Sequence, residues 1–230
     1  RLSTYLKPPA QDGQHRRWKK EEAQWKKRHE AARKKQEQYH EGWRSYLHEK
    51  LPELRSSMLK NPGILTNALV YLIQQAREKH STSGRWTEYN WRTLAKNYGE
   101  EVARFYRNSA TAFWRHYEPV LRSEGAPINQ TPIAVIFGLV GLEIESIETP
   151  DWPRHLSTEE AEKACKFASF ELNGFPTWFP ALFEHHKEVA TNFLLRETQY
   201  ELSIESKETD INYILSDVSW SGQWSWNEIA

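Results

Sequence analysis

One cysteine, Cys165, stands in 230 residues. That excludes an internal disulfide framework and a zinc cluster built on cysteines, and it fits a reducing compartment. No run reaches the roughly 18 consecutive apolar residues expected of a membrane-spanning helix. The longest candidate, Ile133 to Leu142, falls well short. The opening residues carry charge and no apolar stretch of the kind a secretory leader needs. A cytoplasmic location is therefore expected. The ten glycines are scattered, so neither G-x-x-x-x-G-K-[ST] nor G-x-G-x-x-G is present. H-E-x-x-H and G-x-S-x-G are missing too. These gaps leave no motif for a phosphate cradle, a zinc protease or a serine hydrolase, and no cofactor is expected. Few segments alternate in the manner of strands.

Charge of either sign is plentiful but unevenly spread. Lys plus Arg and Asp plus Glu each number 31. Residues 126–230 hold 6 basic and 17 acidic side chains, a balance of −11, so residues 1–125 carry +11. Such polarity suits an acidic partner at the N-terminal end, or a pairing of the two halves. Eleven tryptophans are a heavy load. Rings in that number fill wide spaces between helices or cover binding surfaces. The chain starts at Arg1 and stops within the apolar-rich stretch Trp220 to Ile229, which reads as a segment of a larger protein.

Residues 1–12, with Pro8 and Pro9 among polar neighbours, read as a loose entry. From Gln14 to Lys50 the chain is rich in good helix formers. Trp18, Trp25, Ala32, Tyr39 and Tyr46 recur every seven residues and so share one stripe of a long helix. The companion positions Glu22, His29 and Gln36 are polar, which argues against an ordinary zipper. Pro52 is expected to bend or end this helix. Asn61-Pro62 predicts a cap before an apolar face made by Ile64, Leu65, Ala68, Leu69, Leu72 and Ile73, running to about Lys79. A loop at 81–84 follows, then helices over Trp86–Tyr98 and Glu100–Glu118. Thr131-Pro132 precedes an apolar helix over Ile133–Ile147. Ser157 and Glu160 have capping-box spacing, and Asn173-Gly174 predicts the end of the helix they open. Further helices are expected over 178–185, 187–202 and 211–218.

The expected class is all-α: antiparallel helix pairs, either a HEAT-like α-solenoid or an irregular bundle, with a long polar N-terminal helix. The expected domains are 1–60, a basic helix with an aromatic seam plus linker, and 61–230, a helical-repeat-like domain. An internal echo supports repetition. At an offset of 87, Trp91 matches Trp178, Glu101-Val102-Ala103 matches Glu188-Val189-Ala190, Tyr106 matches Phe193 and Phe113 matches Tyr200. Half of that offset lies near the roughly 40–47-residue HEAT period.

Candidate chemistry is sparse. Cys165, on an amphipathic segment, reads as a small buried hydrophobe. His185-His186 would need a third ligand, such as Glu184 or His155, to hold a metal. Glu197 and Glu201 share a helix face, and a solvated face is the expected reading. The strongest binding candidates are basic. Arg16, Arg17, Lys19, Lys20, Lys26, Lys27, Arg28, Arg33, Lys34 and Lys35 crowd one helix with Trp18 and Trp25. Cations neutralise phosphates and rings stack on bases, yet interleaved glutamates equally suit a solvated linker. Trp220, Trp224 and Trp226 are candidate contact rings for a partner.

Glu171-Leu172-Asn173-Gly174-Phe175-Pro176-Thr177-Trp178-Phe179 and Leu194-Leu195-Arg196-Glu197-Thr198-Gln199-Tyr200-Glu201-Leu202 resemble helical-repeat regions of large bacterial multidomain proteins, including NACHT/STAND-type NTPases linked to phage defence. The resemblance spans about half the chain, from Trp86 onward, and its motifs are packing motifs. It implies a sensor or scaffold arm whose activity lies in other domains. The leading expectation is thus a non-catalytic scaffold that binds a protein partner or neighbouring domains of its parent. The alternatives are a nucleic-acid-binding module using residues 16–35 and an enzyme with a site that no motif marks. No membrane partner is expected.

Overall fold

The computed structural model describes residues 13–77, 84–88, 90–127, 130–204 and 212–229. Among them every regular element is helical and no strand occurs. By its contacts the chain divides into residues 1–49 and 50–230, whereas the sequence pattern places the division at 60. The first unit is the greater part of one helix, α1, which spans Gly13–Lys60. Pro52 lies inside α1 and does not end it. The ring costs the chain one amide, the donor to His48, and the rest of the ladder carries the helix to Lys60. The Asn61 amide then closes on the Ser57 carbonyl at 3.0 Å.

The second unit begins with the last turns of α1 and continues through nine further helices among the described residues. Helix α2 (Asn67–Ala76) starts later than Asn61-Pro62 predicts. Thr66 is the cap, its hydroxyl accepting from the Leu69 amide at 3.3 Å, while Pro62 and Gly63 make a turn closed by the Ile64 amide on the Asn61 carbonyl. Position 79 and the loop residues 81–83 lie outside the described residues. The helix expected over 86–98 is broken into a single 3-10 turn at Trp86–Glu88 and α3 (Thr93–Tyr98). Gly99, with φ of +81°, makes the corner into α4 (Glu100–His116). That φ is one side chains with a Cβ avoid. Glu100 and Glu101 open α4 and Arg115 and His116 close it, the charge order that suits the helix dipole.

Helix α5 (Ile133–Glu148) is the centre of the unit. Residues 135–142 are all buried, so this helix is apolar on every side, as a core helix must be. Two glycines let neighbours approach. A Cβ on Gly141 would stand 2.1 Å from the Ala110 carbonyl oxygen of α4, and one on Gly138 would stand 2.1 Å from a ring carbon of Phe167. Phe137 meets Tyr106 and Phe113 with ring centroids 5.4 and 5.2 Å apart.

Helix α6 (Thr158–Ala168) opens with the expected box: the Ser157 hydroxyl accepts from the Glu160 amide, and the Glu160 carboxylate accepts from the Ser157 amide. It ends at Ala168, before the expected Asn173-Gly174. Asn173 and Gly174 do adopt left-handed backbone, φ 61° and 98°, but they turn a following loop. Phe170, Glu171 and Phe175 of that segment are buried, and leaving the helix is what lets them face the core. Helices α7 (Phe179–His185) and α8 (Lys187–Ser203) follow. After α9 (Tyr213–Ser221), a 3-10 turn and α10 (Trp226–Ile229) extend beyond the expected last helix. Helix α8 packs on α6, α7, α9 and α10.

The 87-residue echo falls on matching elements. Both α4 and α8 have 17 residues, and their first and last residues are offset by 87. Of the matched positions, Ala103 and Tyr106 of α4 and their counterparts Ala190 and Phe193 of α8 are buried, whereas Val102 and Phe113 are buried and their counterparts Val189 and Tyr200 are only partly so.

Candidate functional site

The basic helix comes first because its chemistry is the most exposed. From residue 17 to 39 every side chain of α1 except Glu22 is exposed. Trp18 is 58 % and Trp25 53 % exposed, and Tyr39 and Tyr46 are exposed as well. Trp25 rests on His29 one turn on, with centroids 4.0 Å apart. Tyr39, Trp43 and Tyr46 make a further ring chain at 6.4 and 5.5 Å. The side chain of Arg16 lies outside the described residues.

Only two of the described cations between 17 and 35 hold a carboxylate: Lys26 meets Glu22 at 2.7 Å and Arg33 meets Glu37 at 3.5 Å. Among the described residues Arg17, Lys19, Lys20, Lys27, Arg28, Lys34 and Lys35 form no such pair. The sequence also shows a finer order than a ring stripe. Trp18-Lys19-Lys20, Trp25-Lys26-Lys27 and Ala32-Arg33-Lys34 are three copies of one pattern, seven residues apart. Successive helix positions turn by about 100°. The rings therefore occupy one face, and the two cation rows occupy faces turned away from it.

At the other end of the sequence the three candidate tryptophans part company. Trp220 is 82 % exposed and Trp226 is exposed while donating its indole N–H to the Val218 carbonyl at 2.9 Å. Trp224 is not an exposed ring. It packs against Phe175, Phe179 and Phe183 at 5.8, 5.5 and 4.9 Å. The tight turn at Gly222, where a Cβ would meet Val218 backbone at 2.7 Å, turns the chain so that Trp224 faces the core.

The second unit carries a set of carboxylates that no motif marks. Glu143 sits on the central helix α5, and burial first, then the Glu171 carboxylate, push its carboxyl up to about 7. Arg85 and a hydrogen bond with Thr177 oppose the rise. One Glu143 oxygen is buried without a hydrogen-bond partner among the described residues. Asp217 of α9 is pushed up to about 6, by burial and then by Glu201, with Arg122 and Arg85 opposing. Burial drives the Arg122 guanidinium down, and it lies 3.4 Å from the Tyr213 ring centroid. The sequence does set Glu143 inside an otherwise apolar run, Gly141-Leu142-Glu143-Ile144, a signal by which it could have been found.

Two of the neighbouring acids, Glu171 and Glu201, hold backbone. Glu171 is buried and accepts the amides of Trp86, Thr87 and Leu172 at 2.6, 3.1 and 2.8 Å. Glu201 accepts the Ile214 and Leu215 amides, both at 2.9 Å, and so caps α9. Glu197 is buried beside Arg196 at 3.0 Å. The solvated face expected of Glu197 and Glu201 is therefore corrected: amides in the first turn of a neighbouring helix need acceptors, and Glu201 supplies them. Glu145 is a hub, accepting from Arg115 at 2.5 Å and from the indoles of Trp114 and Trp152, each at 3.2 Å. Arg115 also reaches Glu160 at 2.6 Å. Burial works against its charge, but the two carboxylates outweigh burial and raise it.

A shallow cleft of about 460 Å³ lies where α5 ends, lined by Thr149, Asp151, Trp152, Thr177, Trp178 and His185 among others. His186 is not part of that lining, and its Nε2 lies 2.7 Å from the Pro153 carbonyl. No group of three His, Cys, Asp or Glu side chains suited to a metal ion is found among the described residues. Cys165 is fully buried and its thiol is pushed up by burial, the environment of an inert core thiol. No helix among the described residues is long and apolar enough to cross a membrane. No family model, curated protein or solved structure matches the chain.

Proposed function

We propose that the chain is a non-catalytic helical scaffold of a larger bacterial multidomain protein, and that the ring face of α1 docks a protein partner or a neighbouring domain. The observation that carries this reading is the heptad-spaced stripe of exposed Trp18, Trp25, Tyr39 and Tyr46. Rings of that size left in water on one face of a helix are the usual anchors of protein recognition. The engagement of Glu145, Glu171 and Glu201 supports a structural role for the second unit, since they cap a helix and tie segments together. In this reading the helix pairs α3–α4 and α7–α8 are two units of a HEAT-like arm. That agrees with the resemblance of residues 171–179 and 194–202 to the repeat regions of phage-defence NTPases.

A photo-crosslinking residue placed at Trp25, and separately at Lys27, in the full-length protein in its own cells tests the ring face. The expected result is a protein adduct from position 25, mapped to an apolar groove, and none from position 27. Equal adducts from both faces, or none from position 25, would overturn the reading.

A further inference from the structure

We infer that the face of α1 opposite its rings binds double-stranded DNA through the phosphate backbone. The inference is separate from the ring-face reading and rests on the cations alone. Lys19, Lys26 and Arg33 form one row and Lys20, Lys27 and Lys34 another, each with seven-residue spacing. At 1.5 Å per residue that spacing is about 10.5 Å along the helix. All six side chains are exposed, and Lys19, Lys20, Lys27 and Lys34 hold no carboxylate among the described residues. Uncompensated cations in register along a helix repel one another, and a linear array of negative charge relieves that repulsion.

The geometry selects among anionic partners. The two rows diverge by about 100°, so they reach toward the two sides of a groove. An α-helix about 10–12 Å across fits the roughly 12 Å major groove of B-form DNA. The deep, narrow major groove of A-form RNA does not admit it. Stacking on unpaired bases would call on Trp18 and Trp25, which lie on the wrong face for the cation rows. An anionic membrane would have to take in the ring face, and Glu22, His29 and Gln36 lie beside the rings there; such a face is too polar to enter lipid. The contacts inferred are those of the row cations with phosphates, which carry no sequence information; Glu30 falls between the rows and makes none.

The test is fluorescence anisotropy of the full chain with a labelled 30-base-pair DNA duplex. Four neutralised phosphates give a slope of about −3.6 in log K against log salt, or roughly a hundredfold weakening from 50 to 200 mM. Lys20→Glu/Lys27→Glu/Lys34→Glu is expected to weaken binding at least a hundredfold with an unchanged far-ultraviolet circular dichroism spectrum. Lys20→Gln/Lys27→Gln/Lys34→Gln, which cannot repel phosphate, is expected to lower the salt slope by about 3 × 0.9. Trp18→Ser/Trp25→Ser is expected to leave duplex binding within twofold. No binding at 20 mM salt would overturn the inference. So would equal binding by the charge-reversed chain, loss of binding in the ring variant, tighter binding to single-stranded DNA or duplex RNA, or tighter binding to phosphatidylserine vesicles.

Discussion

Arg115 and Glu145 face each other across the packed helices α4 and α5, Nη1 to Oε1 at 2.5 Å. The pair is mostly shielded from solvent, and the second Glu145 oxygen takes two indole N–H groups, those of Trp114 and Trp152. Removing the carboxylate strands the two indole N–H groups, while Arg115 keeps Glu160 and the Thr111 carbonyl. Glu145→Ala is therefore expected to destabilise the chain by about 2–3 kcal/mol, the cost of leaving shielded donors unmade. Glu145→Gln keeps an acceptor and is expected to lose less. Urea denaturation followed by tryptophan fluorescence measures both. A Glu145→Ala loss below 1 kcal/mol would show that the hub carries no weight.

Glycines at two sites are expected to answer the same substitution with opposite signs. Gly141→Ala puts a methyl 2.1 Å from the Ala110 carbonyl oxygen, so α4 and α5 must move apart, at a cost of about 1–3 kcal/mol or more. Gly42→Ala in exposed α1 meets nothing within 4 Å and is expected to stabilise its helix by about 0.5–1 kcal/mol. Thermal unfolding of the two variants, monitored by helix signal, decides the matter.

Stability is expected to fall as pH rises from about 4.5 to 7. Glu143 has its folded value raised from 4.5 to about 7, and Asp217 from 3.8 to about 6. In that window the folded chain holds protons that the unfolded chain has released, so the linkage slope is negative. The contribution is fully present below the unfolded values and gone above the folded ones. Glu160 and Glu124 act in the reverse sense, their values being lowered despite burial by backbone amides and by Arg115 or Lys166; their stabilisation is lost as pH falls. Glu143→Gln/Asp217→Asn is expected to remove the decline between pH 4.5 and 7 in a series of urea melts. An unchanged profile would refute the assignment.

Much of this was legible in the sequence where the cause is local. The Ser157–Glu160 box needs only four residues, and the heptad rings of α1 need only a period. The carboxylate roles were not legible, because Glu171 finds its amides 84 and 85 residues away and the Glu145–Arg115 contact joins residues 30 apart. Helix ends were misjudged where tertiary demand overrides a local signal. Asn173-Gly174 is a sound stop, yet α6 yields earlier so that Phe170 and Glu171 can turn inward. Trp220 and Trp224 look alike in sequence; the turn at Gly222 decides which is exposed.

That difference is itself measurable. Trp224→Ala removes a half-buried ring packed on three phenylalanines and is expected to cost about 2–3 kcal/mol, less than a fully buried ring. Trp220→Ala, at an 82 % exposed site, is expected to change stability by no more than about 0.5 kcal/mol. Equal losses in denaturant titrations would contradict the placement of the two rings.

The single thiol offers a clock. Cys165 is fully buried, so a thiol-specific reagent is expected to label it only when the chain opens. Labelling of the folded protein as fast as that of the urea-unfolded chain would contradict its burial.

Because two amides of α9 sit in the grip of one α8 carboxylate, the start of α9 is clamped to the end of α8 by a single side chain. Shortening that side chain by one methylene, as in Glu201→Asp, therefore draws on the register between the two helices and not only on a hydrogen bond.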